Sequence, residues 1–280
     1  MALKYRITCL NNDTAGLWGG FWAEHGLSFY IETRDKKFLL DTGTSPEILE
    51  HNLKRADKDL SDLDMLFLSH GHYDHTGALE WTLSQIKHPV VAADPQVFDP
   101  KFGLNTETGE TKSNGSFLSK EEVQARAELR LSSDPFEAAE GVIFSGRIPH
   151  VTEFEKVPDY FVQKTESGLV HDPIRDDRSL ILDHPRGLIL VCGCCHSGLV
   201  NTMTYVRGLL QKPLYAVLGG IHLVGADSQR IEKTIAALRD DFRPEQMFFN
   251  HCTGEKAYLA LKNEFGDKVQ SCHTGNVLEF

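Results

Sequence analysis

Apolar positions along this chain fall in short blocks of strand length, separated by turn residues and by helical stretches. Lys4 to Leu10 alternates and is rich in β-formers, so it reads as a strand ending at Asn11-Asn12-Asp13. Leu27 to Thr33 and Lys37 to Leu40 read as a hairpin around Arg34-Asp35-Lys36. The run Leu63 to Leu68, broken by Asp64 and ended by Ser69, predicts a buried strand. Pro89 to Ala92, Leu129 to Leu131, Gly141 to Phe144 and Tyr160 to Val162 are shorter candidates, the last an edge strand. Ser179 to Leu182 and Leu188 to Val191 flank the turn His184 to Gly187 and form a hairpin expected in a second sheet. Pro213 to Leu218 and Glu245 to Phe249 follow, with Val269 and Val277-Leu278 near the end.

Helical spacing lies between these blocks. Ser45-Pro46 reads as cap and first position, with Ile48, Leu49 and Leu53 on one face. A helix is expected from Asp74 or His75 through Ala78 to Ile86, and another from Gly198. Asp227 caps a helix carrying Ile231, Ile235 and Leu238, and Thr253 can cap one carrying Tyr258, Leu261 and Phe265. Between Asp94 and Ser119 the pattern fails; Ser119-x-x-Glu122 is a capping box. Long irregular segments in compact domains are functional or disordered. Residues 94–127 are therefore a candidate lid, bringing Phe102 or Lys112 to a substrate, or else a surface insertion. Leu17 to Trp22, aromatic and glycine-rich, reads as a loop that either plugs the core or lines a pocket through Trp18.

The chain of 280 residues suits one α/β domain spanning 1–280. Its 29 basic against 40 acidic residues give a net charge of −11, which argues against general nucleic-acid or anionic-membrane binding. A small phosphorylated substrate held in a local basic pocket stays compatible with that charge. No window has the length of a membrane span, and no signal-peptide core follows Met1. Six cysteines without a secretory signal suit reduced thiols in the cytoplasm. Oligomeric state leaves no trace in the pattern.

The chemistry gathers at strand ends. His70-Gly71-His72-Tyr73-Asp74-His75 packs four metal-binding side chains into six residues. In an extended loop His70 and His72 point the same way and can grip one ion, while Asp74 and His75, at the helix start, can serve a second. His196, His222 and His251 stand at three further strand ends. Two metals need about six or seven ligands. His70, His72, Asp74, His75, His196 and His251 supply six; His222 is a seventh or faces substrate, and His273 is read as structural. Imidazole and carboxylate suit zinc first, with iron, manganese or nickel as alternatives. Cys192-x-x-Cys195 reads mainly as buried structural thiols, with Cys194 or Cys195 open as a residue beside the metals. Arg147 is a candidate anion clamp.

Ser69 to Gly77 is similar to the His-x-His-x-Asp-His signature of the metallo-β-lactamase superfamily. The resemblance extends through Leu40-Asp41-Thr42-Gly43, Gly193 to Gly198, Gly219 to Leu223 and Asn250 to Gly254. Within the superfamily these segments look like the group of 7,8-dihydropterin-6-methyl-4-(β-D-ribofuranosyl)aminobenzene-5′-phosphate synthases. The resemblance implies an αββα sandwich of two mixed sheets with helices outside. It implies that Asp41 supports the metal loop from behind. His150 lies near the superfamily's usual third histidine ligand, a place His196 can take instead, and a cysteine, Cys194 or Cys195, stands near the usual bridging aspartate. The implied activity is hydrolysis or pyrophosphate-releasing transfer on a phosphorylated or pyrophosphorylated small molecule, with Asp74 orienting the attacking group and His222 beside it. Rival readings are a non-catalytic metal-binding sensor of the same fold and an iron-dependent redox enzyme.

Overall fold

The computed structural model describes residues 5–280; Lys4, the expected start of the first strand, lies outside them. Two seven-stranded sheets carry the fold. The first runs Val277–Glu279, Arg6–Asn11, Ser28–Glu32, Lys37–Leu40, Met65–Phe67, Val90–Ala93 and Glu128–Leu131 from edge to edge. The second runs Val269–Ser271, Gln246–Phe249, Leu214–Gly219, Gly187–Cys192, Ser179–His184, Val142–Phe144 and Phe136–Ala139.

Alternation along the strands decides the layering, because successive side chains leave opposite faces. Phe29, Ile31, Phe38, Leu40 and Phe67 of the first sheet meet Phe144, Leu180, Ile189, Val191 and Leu218 of the second in one core. The intervening Tyr30, Leu39 and Leu66 face outward onto Leu49, Leu53, Leu79 and Leu83 of helices Pro46–Arg55 and Leu79–Gln85. Leu188, Leu190, Val217 and Met247 face helices Leu199–Leu210, Ser228–Ala237 and Glu255–Phe265. Strands buried on both faces and helices outside give the αββα sandwich that the resemblance implied.

Parallel pairing sets the position of the site. Lys37–Leu40, Met65–Phe67 and Val90–Ala93 run parallel. So do Gly187–Cys192, Leu214–Gly219 and Gln246–Phe249. Within each run the carboxyl ends open at one edge, where α/β proteins place their chemistry.

Three local expectations change. The irregular stretch contains strands Phe102–Leu104 and Thr111–Ser113, which join Phe161–Thr165 and Gly168–His171 in a four-stranded sheet. These strands are short and half exposed, so they carry little hydrophobic pattern. The segment expected as an edge strand at Tyr160 to Val162 is an inner strand of this sheet, pairing through Phe161 with Gly103. Thr253 is not a cap: His251–Thr253 form a tight turn, and Gly254 precedes the helix. The capping box at Ser119 and Glu122 is present, and Asp227 caps through Arg230 N–H. Among the described residues no helix is long and apolar enough to cross a membrane.

Candidate metal centre

The strand Met65–Phe67 delivers the chain into the histidine loop, and His72 precedes the short helix Tyr73–Thr76. One buried carboxylate organises the loop from behind. Asp41 Oδ1 accepts the Ser69 N–H at 2.7 Å, and Oδ2 accepts the Ser69 hydroxyl at 2.7 Å and His75 Nδ1 at 2.7 Å. A carboxylate only accepts, so Nδ1 of His75 carries the hydrogen and Nε2 faces forward as a lone pair. Ser69 Oγ gives its hydrogen to Asp41 and so takes one from His70 Nδ1, 2.9 Å away. His70 therefore turns an unprotonated Nε2 toward His72 Nδ1, at 2.9 Å. Gly71 N–H donates to Asp176 Oδ2 at 2.8 Å, and Asp176 Oδ1 pairs with Lys101 Nζ at 2.8 Å, all buried.

The other strand ends converge on this loop. Asp74, His75, Cys194 and His251 offer ligand atoms within 4.8 Å of one another. His70, Cys194 and His196 form a second such group, and Cys194, His222 and Cys252 a third. Cys194 Sγ is 3.2 Å from His75 Nε2, and His251 Nε2 is 3.3 Å from both His75 Nε2 and Asp74 Oδ2. The rings of His196 lie 4.7 Å from His70, 4.9 Å from His72 and 4.2 Å from His222. Asp41, Cys195, His222 and His251 all take positive φ, an uncommon conformation for side-chain-bearing residues that clusters at functional sites.

The structure separates the neighbouring cysteines. Cys194 points into the centre. Cys192 and Cys195 pack into the helix-side core, with Cys195 Sγ 3.3 Å from Thr202 Oγ1.

Electrostatics suit cations. Burial, with help from neighbouring histidines, pushes His70 and His196 well below the ordinary imidazole range; burial takes His72 down to about 3. Neutral imidazole is the ligating form. Burial works against ionisation of Asp74, yet His75 and His251 hold its carboxyl below the usual range. Burial likewise opposes charge on His251, but Asp13 and Asp74 raise it, so a proton and a cation compete for one point. Among the described residues, His72 Nε2 and both ring nitrogens of His196 and His222 are buried without a hydrogen-bond partner. Buried polar atoms of that kind are costly unless a ligand satisfies them. The donor set, imidazoles with a carboxylate and a thiol, fits zinc-like divalent ions.

Other sequence candidates lie elsewhere. Arg147 is held by Asp94 and Gln96 and, with His150, lines a separate cleft. Trp18 is 98% exposed and does not line the metal pocket. Phe102 sits in the small sheet beneath Lys164 Nζ, also off that pocket. His273 bonds Thr14 and Ser271, a structural arrangement.

Sequence reading passed over three contributors. Asp13 bonds His251 Nδ1 at 2.7 Å and His25 Nδ1 at 3.0 Å, and His25 Nε2 reaches Asp74 Oδ2 at 3.4 Å. Asp13 stands at a strand end, the signal that found the histidines; His25 has no such signal. Phe161 stacks on His72 with ring centres 5.0 Å apart. These residues with Tyr73, Asn114 and Val224 line a pocket of about 250 Å³ over the centre.

The family model for the metallo-β-lactamase superfamily matches residues 22–175. The chain is 33% identical to the 7,8-dihydropterin-6-methyl-4-(β-D-ribofuranosyl)-aminobenzene-5′-phosphate synthase of Methanocaldococcus jannaschii, over 98% of this chain and 96% of that protein. The solved structure of Tm1679, a metal-dependent hydrolase of the β-lactamase superfamily, superposes with a TM-score of 0.84 at 26% identity, covering 99% of both chains. A diphosphatase of the PhnP family shares the fold at a TM-score of 0.52 and 14% identity, over 100% of this chain and 98% of that one. With its histidine loop, its converging strand ends and these likenesses, the chain belongs to the metallo-β-lactamase superfamily.

Proposed function

We propose that the chain is a cytoplasmic enzyme, acting as one domain over residues 1–280, that uses two divalent ions on a phosphorylated or pyrophosphorylated small molecule. One observation carries this reading: the Cys194 sulfur belongs to both main ligand groups, so two cation positions can share it. His70, His72 and His196 would hold one ion with Cys194; Asp74, His75 and His251 would hold the other. When bound, the ions supply positive charge that stabilises phosphate oxygens and a leaving pyrophosphate and acidifies an attacking group.

The chain's own groups do the rest. Asp74 orients the attacking group and takes its proton. His222, with both ring nitrogens unpartnered, hydrogen-bonds the substrate. Phe161 covers His72 and keeps water off that side. The 94–127 segment acts as a wall, tied to the loop by Tyr73 N–H donating to Asn114 O at 2.9 Å. The six free, buried thiols suit a reducing compartment.

The Methanocaldococcus jannaschii relative is a synthase, which favours transfer over simple hydrolysis. Metal-loaded protein should contain two ions per chain. It should release pyrophosphate from a dihydropterin pyrophosphate only when an aminobenzene ribotide is added. Release without the ribotide would assign hydrolysis. Full metal loading with no turnover of phosphodiesters, lactones or pterin pyrophosphates would favour a binding protein. His72→Ala retaining both metal and turnover would end the proposal.

A further inference from the structure

We propose that a second cleft, outside the metal pocket, binds the phosphate or pyrophosphate group of a small molecule. The cleft measures about 350 Å³ and is lined by Arg147, Ile148, Pro149, His150, Pro173 and Arg175. It shares no lining residue with the metal pocket. Its three ionisable side chains are all basic, on a chain whose acidic residues outnumber the basic by 40 to 29.

One of those groups is fixed in place and the other two are unspent. Arg147 gives Nε and Nη2 to Asp94, at 3.0 and 2.9 Å, and Nη2 also to Gln96 at 2.9 Å. That fixes the guanidinium plane, and among the described residues nothing bonds Nη1. Among the described residues, Arg175 makes no ion pair and the His150 ring no hydrogen bond. A guanidinium fork and an imidazole suit phosphate oxygens, and a fixed Arg loses little entropy on binding. Ile148, Pro149 and Pro173 offer apolar walls to the rest of the molecule.

The turn behind the cleft points the same way. Ile174, a β-branched residue, is held at φ +46°. Its N–H donates to Asp172 Oδ1 at 2.8 Å, and Asp172 and Asp176 face inward to Lys101 at 3.7 and 2.8 Å. The turn buries Asp172, Ile174 and Asp176 and leaves Pro173 and Arg175 to the cleft. Such strain persists where surrounding contacts enforce it, and it clusters at ligand sites. The same turn accepts the Gly71 N–H through Asp176, so a molecule in the cleft touches the support of the metal loop.

Calorimetric titration of metal-loaded protein with inorganic pyrophosphate tests this without any turnover, so it stands or falls apart from the proposed activity. Wild type should show a binding event that Arg175→Glu weakens about tenfold or more, with metal content unchanged, and His150→Ala should weaken it in the same direction. Both variants titrating like wild type would overturn the site. Binding lost in His222→Ala but kept in Arg175→Glu would place it on the metal pocket and overturn it too. Two sources can supply the phosphate group. A KM raised about tenfold in Arg175→Glu would assign it to the substrate's own tail. An unchanged KM with loss of a pyrophosphate effect on rate would assign it to a free anion.

Discussion

Asp41 Oδ2 lies 2.7 Å from His75 Nδ1, with both side chains fully buried, and the same carboxylate acts on His70 through the Ser69 hydroxyl. One acidic group thereby sets the hydrogen positions of an imidazole in each main ligand group. Asp41→Asn keeps the shape but can turn an N–H₂ donor to His75, which moves that ring's hydrogen to Nε2, where a metal must bind. We expect metal affinity to fall about 10–100-fold, with the fold intact by circular dichroism. Chelator competition on wild type and variant measures it. Unchanged affinity would show that Asp41 does not set the His75 tautomer.

Adjacent cysteines should behave oppositely. Cys194 faces His75 Nε2 at 3.2 Å, whereas Cys195 packs in the core beside Thr202. In cobalt-substituted protein a thiolate-to-metal absorption band should be present in wild type and in Cys195→Ser, and absent in Cys194→Ser. Cys195→Ser should cost less than about 2 kcal/mol of stability. A band that survives Cys194→Ser would remove the shared sulfur.

Lys101 is 1% exposed and carries two buried carboxylates, Asp176 and Asp172. Lys101→Met keeps most of the volume but leaves those charges unpaired. Removing one partner of a buried pair costs about 3–5 kcal/mol. Urea denaturation checks this. Because Asp176 also holds Gly71, metal retention should weaken in parallel.

Glu155 caps the helix Leu199–Leu210 from a distant loop, accepting Val200 N–H at 2.8 Å and Asn201 N–H at 2.7 Å. Burial nonetheless raises its pKa above the ordinary value, against those donors. A carboxyl with a raised folded pKa binds protons better in the fold than in the unfolded chain. Its contribution is therefore full below the unfolded value and declines as pH rises from there through the folded one. Wild-type stability should fall relative to Glu155→Gln as pH rises from about 4.5, read by denaturant midpoints across that range. A difference independent of pH would contradict the shift.

Sequence alone determined the sandwich and the ligand loop. Central strands such as Leu27 to Thr33 and Leu188 to Val191 are buried on both faces, so their apolar runs are written in local pattern. His70 to His75 span six residues, from an extended segment into a short helix, so local spacing already brings their side chains close. Tertiary structure decided the rest. Cys194 and Cys195 are chemically alike, yet with a left-handed turn at Cys195 one joins the histidine cluster and the other packs into the core. Asp13 and His25 reach the centre from a loop with no motif, and the strand Phe102–Leu104 pairs with a distant hairpin on one side and with Thr111–Ser113 on the other. Arg147 and His150 were legible as functional types, but the direction of the Arg147 side chain depends on Asp94, far away in the chain. Local periodicity records which face of an element is apolar; which distant groups meet depends on packing, which no single segment encodes.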